Sequence, residues 1–218
     1  YNYIELREEL RRAGQEFVTG TDTEVILAAY AVWGQECVSR FNGMWAFAIL
    51  DRAGNKVFCS RDRFGVKPFY YVETAGAWAF GSEIRQLLPL LPTIRANLKV
   101  VQEFLLAGIT EPKEETFFEG IDKLPGGHNL IYDLNTHSFE KKRFYELATK
   151  PDLCNANIDE AVRVYGARLS EAVSLRLRAD VSVGTCLSGG LDSSTVATLA
   201  ATPYQKARGE PFRAITAI

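Results

Sequence analysis

A glycine- and serine-rich segment, LSGGLDSS at 187–194, constrains the fold of this chain more than any other feature. An apolar run at 183–187 precedes the segment, a helical pattern follows it from about Ser193 to Ala201, and a second apolar run lies at 212–218. A strand, a helix and a strand in this order predict the beginning of a parallel α/β sheet. The glycines fall at the turn between the first strand and the helix.

This turn has the chemistry of a phosphate-binding loop. Gly189 and Gly190 let the backbone approach an anion closely, and the following helix adds the positive end of its dipole. Ser188 and Ser193 offer hydroxyl donors, while Asp192 suits an anion site if Mg²⁺ links its carboxylate to the phosphates. The loop lacks the lysine of the GxxxxGK[ST] motif, which disfavours a kinase-like or GTPase-like reading. The structural alternative is that the two glycines form a tight turn and that Asp192 or Ser193 caps the following helix.

Charge and composition exclude several classes of function. The 218 residues carry 25 Lys and Arg against 27 Asp and Glu, a formal charge of −2, so nucleic acid is not an expected partner. The longest notable apolar run, 44–50, is far shorter than the roughly 20 residues of a membrane helix. The first residues lack the basic and apolar segments of a secretory signal, so we expect a cytoplasmic protein without a membrane partner.

Helical and strand patterns alternate before residue 148. Helices are predicted at 3–13, 21–34 and 98–107. Thr21 and Glu24 have the spacing of a capping box, and Asn97 is the expected cap of the third helix. Short strands are predicted at 44–51, 56–62, 68–72 and 77–83, in a single antiparallel meander. A further hairpin is predicted from 128–134 and 139–147, and the polar stretch at 148–157 is expected to link two domains, with a helix beginning at Ile158.

Several segments together resemble one family. They are TGTDTEVIL (19–27), FNGMWAFAILD (41–51), RDRFGVKPFYY (61–71), GSE (81–83) and SGGLDSS (188–194). The first four resemble the glutaminase half of glutamine-hydrolysing asparagine synthetases, and the last resembles the pyrophosphate loop of enzymes that cleave ATP between its α and β phosphates. Tyr1-Asn2-Tyr3 is similar to the end of the family's NGEIYN segment.

The resemblance implies a fold for each part of the chain. Residues 1–147 would form an α+β N-terminal-nucleophile domain of αββα architecture, a type 2 glutamine amidotransferase domain that lacks its first strands. Residues 148–157 would be a linker. Residues 158–218 would begin an α/β Rossmann-like domain of the adenine-nucleotide alpha-hydrolase type.

The resemblance also implies two coupled reactions. Glutamine would be hydrolysed in the first domain, and its ammonia would pass inside the protein to the second. There aspartate and ATP, with Mg²⁺, would form β-aspartyl-AMP, which ammonia converts into asparagine. A homodimer formed through the glutaminase half is plausible for such a family.

Individual roles follow from the motifs. Asp22 would bind the α-amino group of glutamine; the alternative is a second helix cap beside Thr21. Glu83 would either line the wall near that site or lie exposed at a strand end. Cys186 and Leu187 would form a backbone shelf beside adenine. The pyrophosphate would be held by Ser188, Gly189, Gly190, Asp192 and Ser193, with Asp192 as the Mg²⁺ ligand.

The chain departs from the family pattern at its first residue. Glutaminases of this type use the thiol of an N-terminal Cys, whereas this chain begins with Tyr1. We therefore expect no catalytic residue in this chain, a nucleophilic Cys upstream of Tyr1, and no activity of this stretch alone. The pocket that selects aspartate is expected beyond Ile218, so a related amidotransferase that acts on another carboxylate, or a binding module without chemistry, remains an alternative.

Overall fold

The structure of the chain, a computed structural model, describes residues 1–110, 114–148 and 156–216. The chain divides into two compact units, of which the first is Tyr1–Leu147 and the second begins at Ala148. Most of the predicted linker at 148–157 lies outside the described residues.

The described α-helices of the first unit are α1 (Tyr3–Arg12), α2 (Asp22–Trp33), α3 (Ile84–Leu87) and α4 (Leu98–Ala107). α1, α2 and α4 begin close to the predicted residues, whereas the short α3 was not predicted. Thr21 caps α2, since its hydroxyl accepts a hydrogen bond from the Glu24 N–H at 3.4 Å. The other half of the predicted capping box is wrong, because the Glu24 carboxylate accepts from the N–H groups of Val18 and Thr19, at 2.7 and 2.8 Å, and so fixes the preceding loop.

The strands of the first unit form two antiparallel sheets. They are β1 (Ala46–Asp51), β2 (Lys56–Arg61), β3 (Tyr70–Thr74), β4 (Ala77–Gly81), β5 (Ile121–Lys123), β6 (His128–Asp133) and β7 (Ser138–Arg143). One sheet has the order β1-β2-β6-β7 and the other β4-β3-β5. The predicted single meander is therefore wrong, whereas the β6–β7 hairpin is confirmed. Alternation identifies a strand, but its partner depends on packing between residues distant in sequence.

Successive side chains of β2 enter two different cores, which defines the layers of this unit. Phe58 packs with Val25 of α2, on the outer side of the four-stranded sheet. Cys59 packs with Tyr71 of β3, between the two sheets. On the outer side of the three-stranded sheet, Val72 packs with Leu87 of α3. The layers therefore run helix, sheet, sheet, helix, in the αββα order that the resemblance implies.

Glu83 is the cap of α3. Its carboxylate accepts from the N–H of Gln86, and the Gln86 side chain accepts from the N–H of Glu83 at 3.0 Å. Glu83 also forms an ion pair with Arg85. Glu83 is exposed two residues after the end of β4, which agrees with the second of its two predicted positions, and it caps α3 in addition.

The second unit contains α5 (Ile158–Arg176), β8 (Gly184–Cys186), α6 (Leu191–Arg208) and β9 (Arg213–Ile215). β8 and β9 pair in parallel, with Gly184 opposite Arg213, as the sequence predicts. Helix α6 is longer than predicted and continues through Pro203. Within the described parts of the chain, no helix combines the length and the apolar composition needed to cross a bilayer.

Candidate functional site

A cavity of ≈ 350 Å³ lies in the first unit between the start of α2 and strand β1. Most of its lining residues are apolar, and the longest continuous stretch of them is 44–49. Its polar lining consists of Tyr1, Asp22, Thr23, Lys67 and Ser82. The cavity therefore gathers residues from five separate parts of the sequence.

Asp22 is the first residue of α2, and it is exposed at the cavity. No hydrogen bond to its carboxylate is found among the residues that the structure describes, whereas its carbonyl oxygen accepts one from the phenol of Tyr1 at 2.5 Å. The carboxylate near the positive end of the helix is thus available to a ligand. The alternative of a second cap beside Thr21 is not formed, because the Asp22 carboxylate accepts no N–H of the first turn among the described residues.

Tyr1 is part of the cavity wall. Its ring packs on Phe41, with the ring centroids 5.1 Å apart, and burial together with the nearby charge of Asp22 raises the pKa of its phenol. The sequence placed Tyr1 in a motif but gave it no role. Its contact with Asp22 joins residues distant in sequence, so no local pattern identifies it.

Lys67 is the cavity residue that the sequence reasoning missed most clearly. Asp22 and Lys67 are the charged residues of the lining among those the structure describes. A free α-amino acid carries one ammonium and one carboxylate, so a cavity with one carboxylate and one ammonium has complementary charges. Lys67 lies within RDRFGVKPFYY, and its position relative to Asp22 follows from the fold alone.

The loop between β8 and α6 brings together the residues predicted for the nucleotide. Leu187 donates its N–H to Ile215 at 2.8 Å, which fixes the loop to the end of β9. The hydroxyl oxygens of Ser188 and Ser193 lie 3.0 Å apart, and Ser193 also accepts from the N–H of Ser188 at 3.2 Å. Gly189 has a φ of +81°, a conformation that favours glycine.

The first turn of α6 is open at its N-terminus. Gly190 precedes the helix without a side-chain cap, and Asp192 is the second helical residue. The tight-turn alternative with Asp192 or Ser193 as the helix cap is therefore not what forms here. Asp192 is exposed, and no cluster of three or more His, Cys, Asp or Glu suited to a metal occurs in the described residues. One carboxylate beside a phosphate loop still fits Mg²⁺, which proteins often bind through one or two carboxylates and the phosphates of a substrate.

Cys186 ends β8, and its side chain is exposed. Together with Leu187 it leads from the sheet into the loop, where the sequence predicts the adenine shelf. The seven residues predicted to bind the nucleotide thus lie in one continuous strand–loop–helix segment of the second unit, while Asp22 lies in the first unit.

Two family matches cover most of the chain. Residues 1–145 match the family described as "Glutamine amidotransferase domain", and residues 165–217 match the family described as "Asparagine synthase". The first match alone covers more than half of the chain.

Curated relatives agree with these matches. The chain is 40% identical over 201 residues to a putative glutamine-hydrolyzing asparagine synthetase 2 of Methanocaldococcus jannaschii, covering 90% of this chain and 38% of the relative. It is 35% identical over 214 residues to the glutamine-hydrolyzing asparagine synthetase 3 of Bacillus subtilis, covering 97% of this chain and 34% of the relative. A third relative, the amidase chyE of Penicillium rubens, is 33% identical, with 92% of this chain and 29% of the relative covered. The chain thus spans less than two fifths of the length of these relatives.

Proposed function

Since this chain belongs to the glutamine amidotransferase family, we propose that it forms part of an ATP-dependent, glutamine-hydrolysing asparagine synthetase. The first unit takes glutamine and the second takes ATP. One observation carries the proposal: a single chain holds the Asp22 cavity within residues 1–145 and the serine–glycine loop within residues 165–217.

In the first unit, the Asp22 carboxylate binds the α-ammonium group of glutamine. Its exposure at the cavity and its lack of a hydrogen-bond partner among the described residues support this role. Water adds to the side-chain amide carbon of glutamine in the net reaction, and the C–N bond breaks to give glutamate and ammonia.

In the second unit, an oxygen of the aspartate β-carboxylate attacks the α-phosphorus of ATP, and pyrophosphate leaves. Ammonia then attacks the acyl carbon of β-aspartyl-AMP, which breaks the bond to AMP and gives asparagine. Ser188, Gly189, Gly190 and Ser193 bind the pyrophosphate with hydroxyl and N–H donors, and the backbone of Cys186 and Leu187 lies beside adenine. Asp192 would hold Mg²⁺, which when bound offsets the negative charge of the phosphates.

Two variants of the full-length gene product test the proposal. Asp22→Ala should raise the KM for glutamine at least about tenfold, because a charged contact is lost, while synthesis from added ammonia stays unchanged. Asp192→Ala should impair synthesis from both nitrogen donors, since both need ATP. The measurements are pyrophosphate and asparagine formation with aspartate, ATP and Mg²⁺.

Asp159→Ala is the matched control. Asp159 is an exposed acidic residue in the first turn of α5 and belongs to neither site. Asn157, not Asp159, caps this helix. It should leave both activities unchanged. Loss of ammonia-dependent synthesis in Asp22→Ala would contradict a glutamine-binding role and indicate a role in folding, and a wild-type protein without pyrophosphate release would refute the proposed function.

A second candidate is amide formation on a carboxylate other than that of aspartate. The 33% identity to the amidase chyE favours it, because relatives of this chain carry more than one name for their activity. Pyrophosphate release that depends on another carboxylic acid and fails with aspartate would select this candidate.

A further inference from the structure

Two buried charged residues, one at the end of β2 and one at the start of the segment that joins β2 to β3, have no role in the proposed reactions. Arg61 is 8% exposed and Asp62 is 1% exposed. Burying a charged side chain is costly unless hydrogen bonds replace the lost water. The hydrogen bonds of these two side chains therefore show which backbone groups they hold in place.

The Asp62 carboxylate accepts four backbone N–H groups. Oδ1 accepts from Phe64 at 3.2 Å and from Val66 at 3.0 Å. Oδ2 accepts from Lys67 at 3.0 Å and from Trp45 at 3.4 Å. One carboxylate oxygen thus joins the loop to the residue that precedes β1.

Arg61 holds the carbonyl groups of the same loop. Its guanidinium donates to the carbonyls of Gly65 and Leu124, both at 2.6 Å, and to that of Lys67 at 2.7 Å. Close packing adds a further restraint, since a Cβ placed on Gly126 would lie 2.6 Å from the nitrogen of Gly65. The backbone of Lys67 is therefore fixed at both its N–H and its carbonyl.

The two residues joined by Asp62 Oδ2 both line the Asp22 cavity, which is proposed to bind glutamine. Lys67 is the cationic residue of the described lining, and Trp45 belongs to its apolar stretch 44–49. Asp62 itself does not line the cavity. Its carboxylate sets the distance between two parts of the wall, while its side chain stays buried behind them.

We propose that Asp62 is a positioning residue for glutamine, which acts by holding the backbones of Lys67 and Trp45 together at the cavity wall. This inference rests on the proposed function of the cavity and adds the device that keeps its shape. Displacement of a binding group by about 1 Å is enough to change catalysis by up to about 100-fold. A residue that touches no substrate therefore controls the affinity for glutamine.

Asp62→Asn in the full-length gene product tests the inference. The amide keeps the size of the side chain but turns one acceptor into a donor that faces backbone N–H groups. The KM for glutamine should rise about tenfold or more, while kcat with saturating ammonia stays within about twofold of the wild type. Thermal unfolding in parallel reports whether the variant folds.

Asp133→Asn is the matched control. The Asp133 carboxylate also accepts two backbone N–H groups, from Asn135 at 2.7 Å and from Thr136 at 3.0 Å, but it lies in the β6–β7 turn outside the cavity. Its KM for glutamine should equal that of the wild type. The same rise in KM in both variants would overturn the inference.

An unchanged KM in folded Asp62→Asn, or an equal loss of ammonia-dependent synthesis, would also overturn it. If Asp62→Asn does not fold, Asp62→Glu keeps the charge and displaces the carboxylate by one methylene, and the same rise in KM is expected. An unchanged KM in that variant, or failure of both to fold, would reduce Asp62 to a stabilising residue. Absence of glutamine hydrolysis in the wild type would refute the proposed function and this inference together. Normal hydrolysis in the wild type with an unchanged KM in the folded Asp62 variant would refute this inference alone.

Discussion

Asp22 and Ser193 both lie in the first turn of a helix, yet the helices are held in different ways. Behind Asp22, Val25 and Ala29 of α2 are completely buried against the four-stranded sheet. Ser193 is only partly buried, and Ala200 and Tyr204 are the buried side chains of α6. Among the described residues of the second unit, only Val173 joins these two as a buried apolar side chain.

The two candidate sites are therefore stabilised by different interactions. The cavity at Asp22 is backed by fully buried apolar side chains and by the buried carboxylate of Asp62, so its shape costs much to change. The loop at 188–193 depends on hydrogen bonds between exposed groups, which contribute less and allow local opening. Variants in the first unit should therefore have larger effects than variants in the second.

The largest effect is expected from Phe58→Ala. Phe58 is fully buried, and its ring stacks on that of Tyr30 with the centroids 5.1 Å apart. Removing a buried aromatic ring should lower the free energy of unfolding by about 3–5 kcal/mol. All three tryptophans, Trp33, Trp45 and Trp78, lie in the first unit, so tryptophan fluorescence during urea unfolding measures this effect.

Leu105→Ala is the control for this variant. Leu105 is 73% exposed on α4, and its truncation should change stability by no more than about 0.5 kcal/mol. A shift for Phe58→Ala as small as that of Leu105→Ala would break the comparison, since packing would then not determine the stability of the first unit.

A smaller effect is expected from Tyr204→Phe in the second unit. The Tyr204 hydroxyl donates to Glu210 at 2.8 Å and accepts from the N–H of Val183 at 3.1 Å. Its loss leaves that N–H without this partner, which costs about 1–3 kcal/mol. Residues 148–218 contain no tryptophan, so the change should appear in helical circular dichroism and not in tryptophan fluorescence.

Tyr165→Phe removes a hydroxyl from an exposed position on α5 and should have no effect. If Tyr204→Phe also shifts the fluorescence transition, the two units unfold together. The comparison between independently stabilised units would then fail.

Helix ends were predictable from the sequence because their signals are local. Thr21 and Asn97 cap the predicted helices, and Gly108 ends α4 with a φ of +66°. Glu24 shows the limit of such signals, because the same spacing permits a bond to the cap or to the loop before it. The predicted helix stopped at about Ala201, yet α6 continues through Pro203 to Arg208, and burial of Tyr204, which packs on Phe212, accompanies this continuation.

Strand partners and cavity walls were not predictable in the same way. β2 pairs with β6, and the short β5 had no detectable pattern. The family motifs pointed to Asp22 and to the loop at 188–193. Lys67 and Trp45 are linked by hydrogen bonds from their N–H groups to the carboxylate of Asp62. A carboxylate that accepts backbone N–H groups places no requirement on the side chains of its partners, so the sequence does not reveal these partners.

The smallest expected effects concern pH. Alkaline pH should destabilise the first unit, whereas acid pH should destabilise the second. Burial and a hydrogen bond with Asp51 raise the pKa of Tyr30 to about 12, from an ordinary value of 10.0. The neutral phenol is favoured in the folded state, so this contribution is present below pH 10.0 and is lost as the pH rises towards about 12. Hydrogen bonds from Tyr204 and Ser182 instead lower the pKa of Glu210 below its ordinary 4.5, so its contribution is present above pH 4.5 and is lost in acid.

Tyr30→Phe should therefore reduce the alkaline loss of stability in the tryptophan signal, measured as the urea midpoint at pH 8 and at pH 11. Glu210→Gln should reduce the acid loss in the helical signal and leave the alkaline one unchanged. Because Glu210 is only partly buried, water screens its interactions and the acid effect should be the weaker of the two. An alkaline shift that is identical in Tyr30→Phe and in the wild type would show that other groups govern the first unit, with the buried thiol of Cys37, whose pKa is raised to about 12, as the next residue to replace.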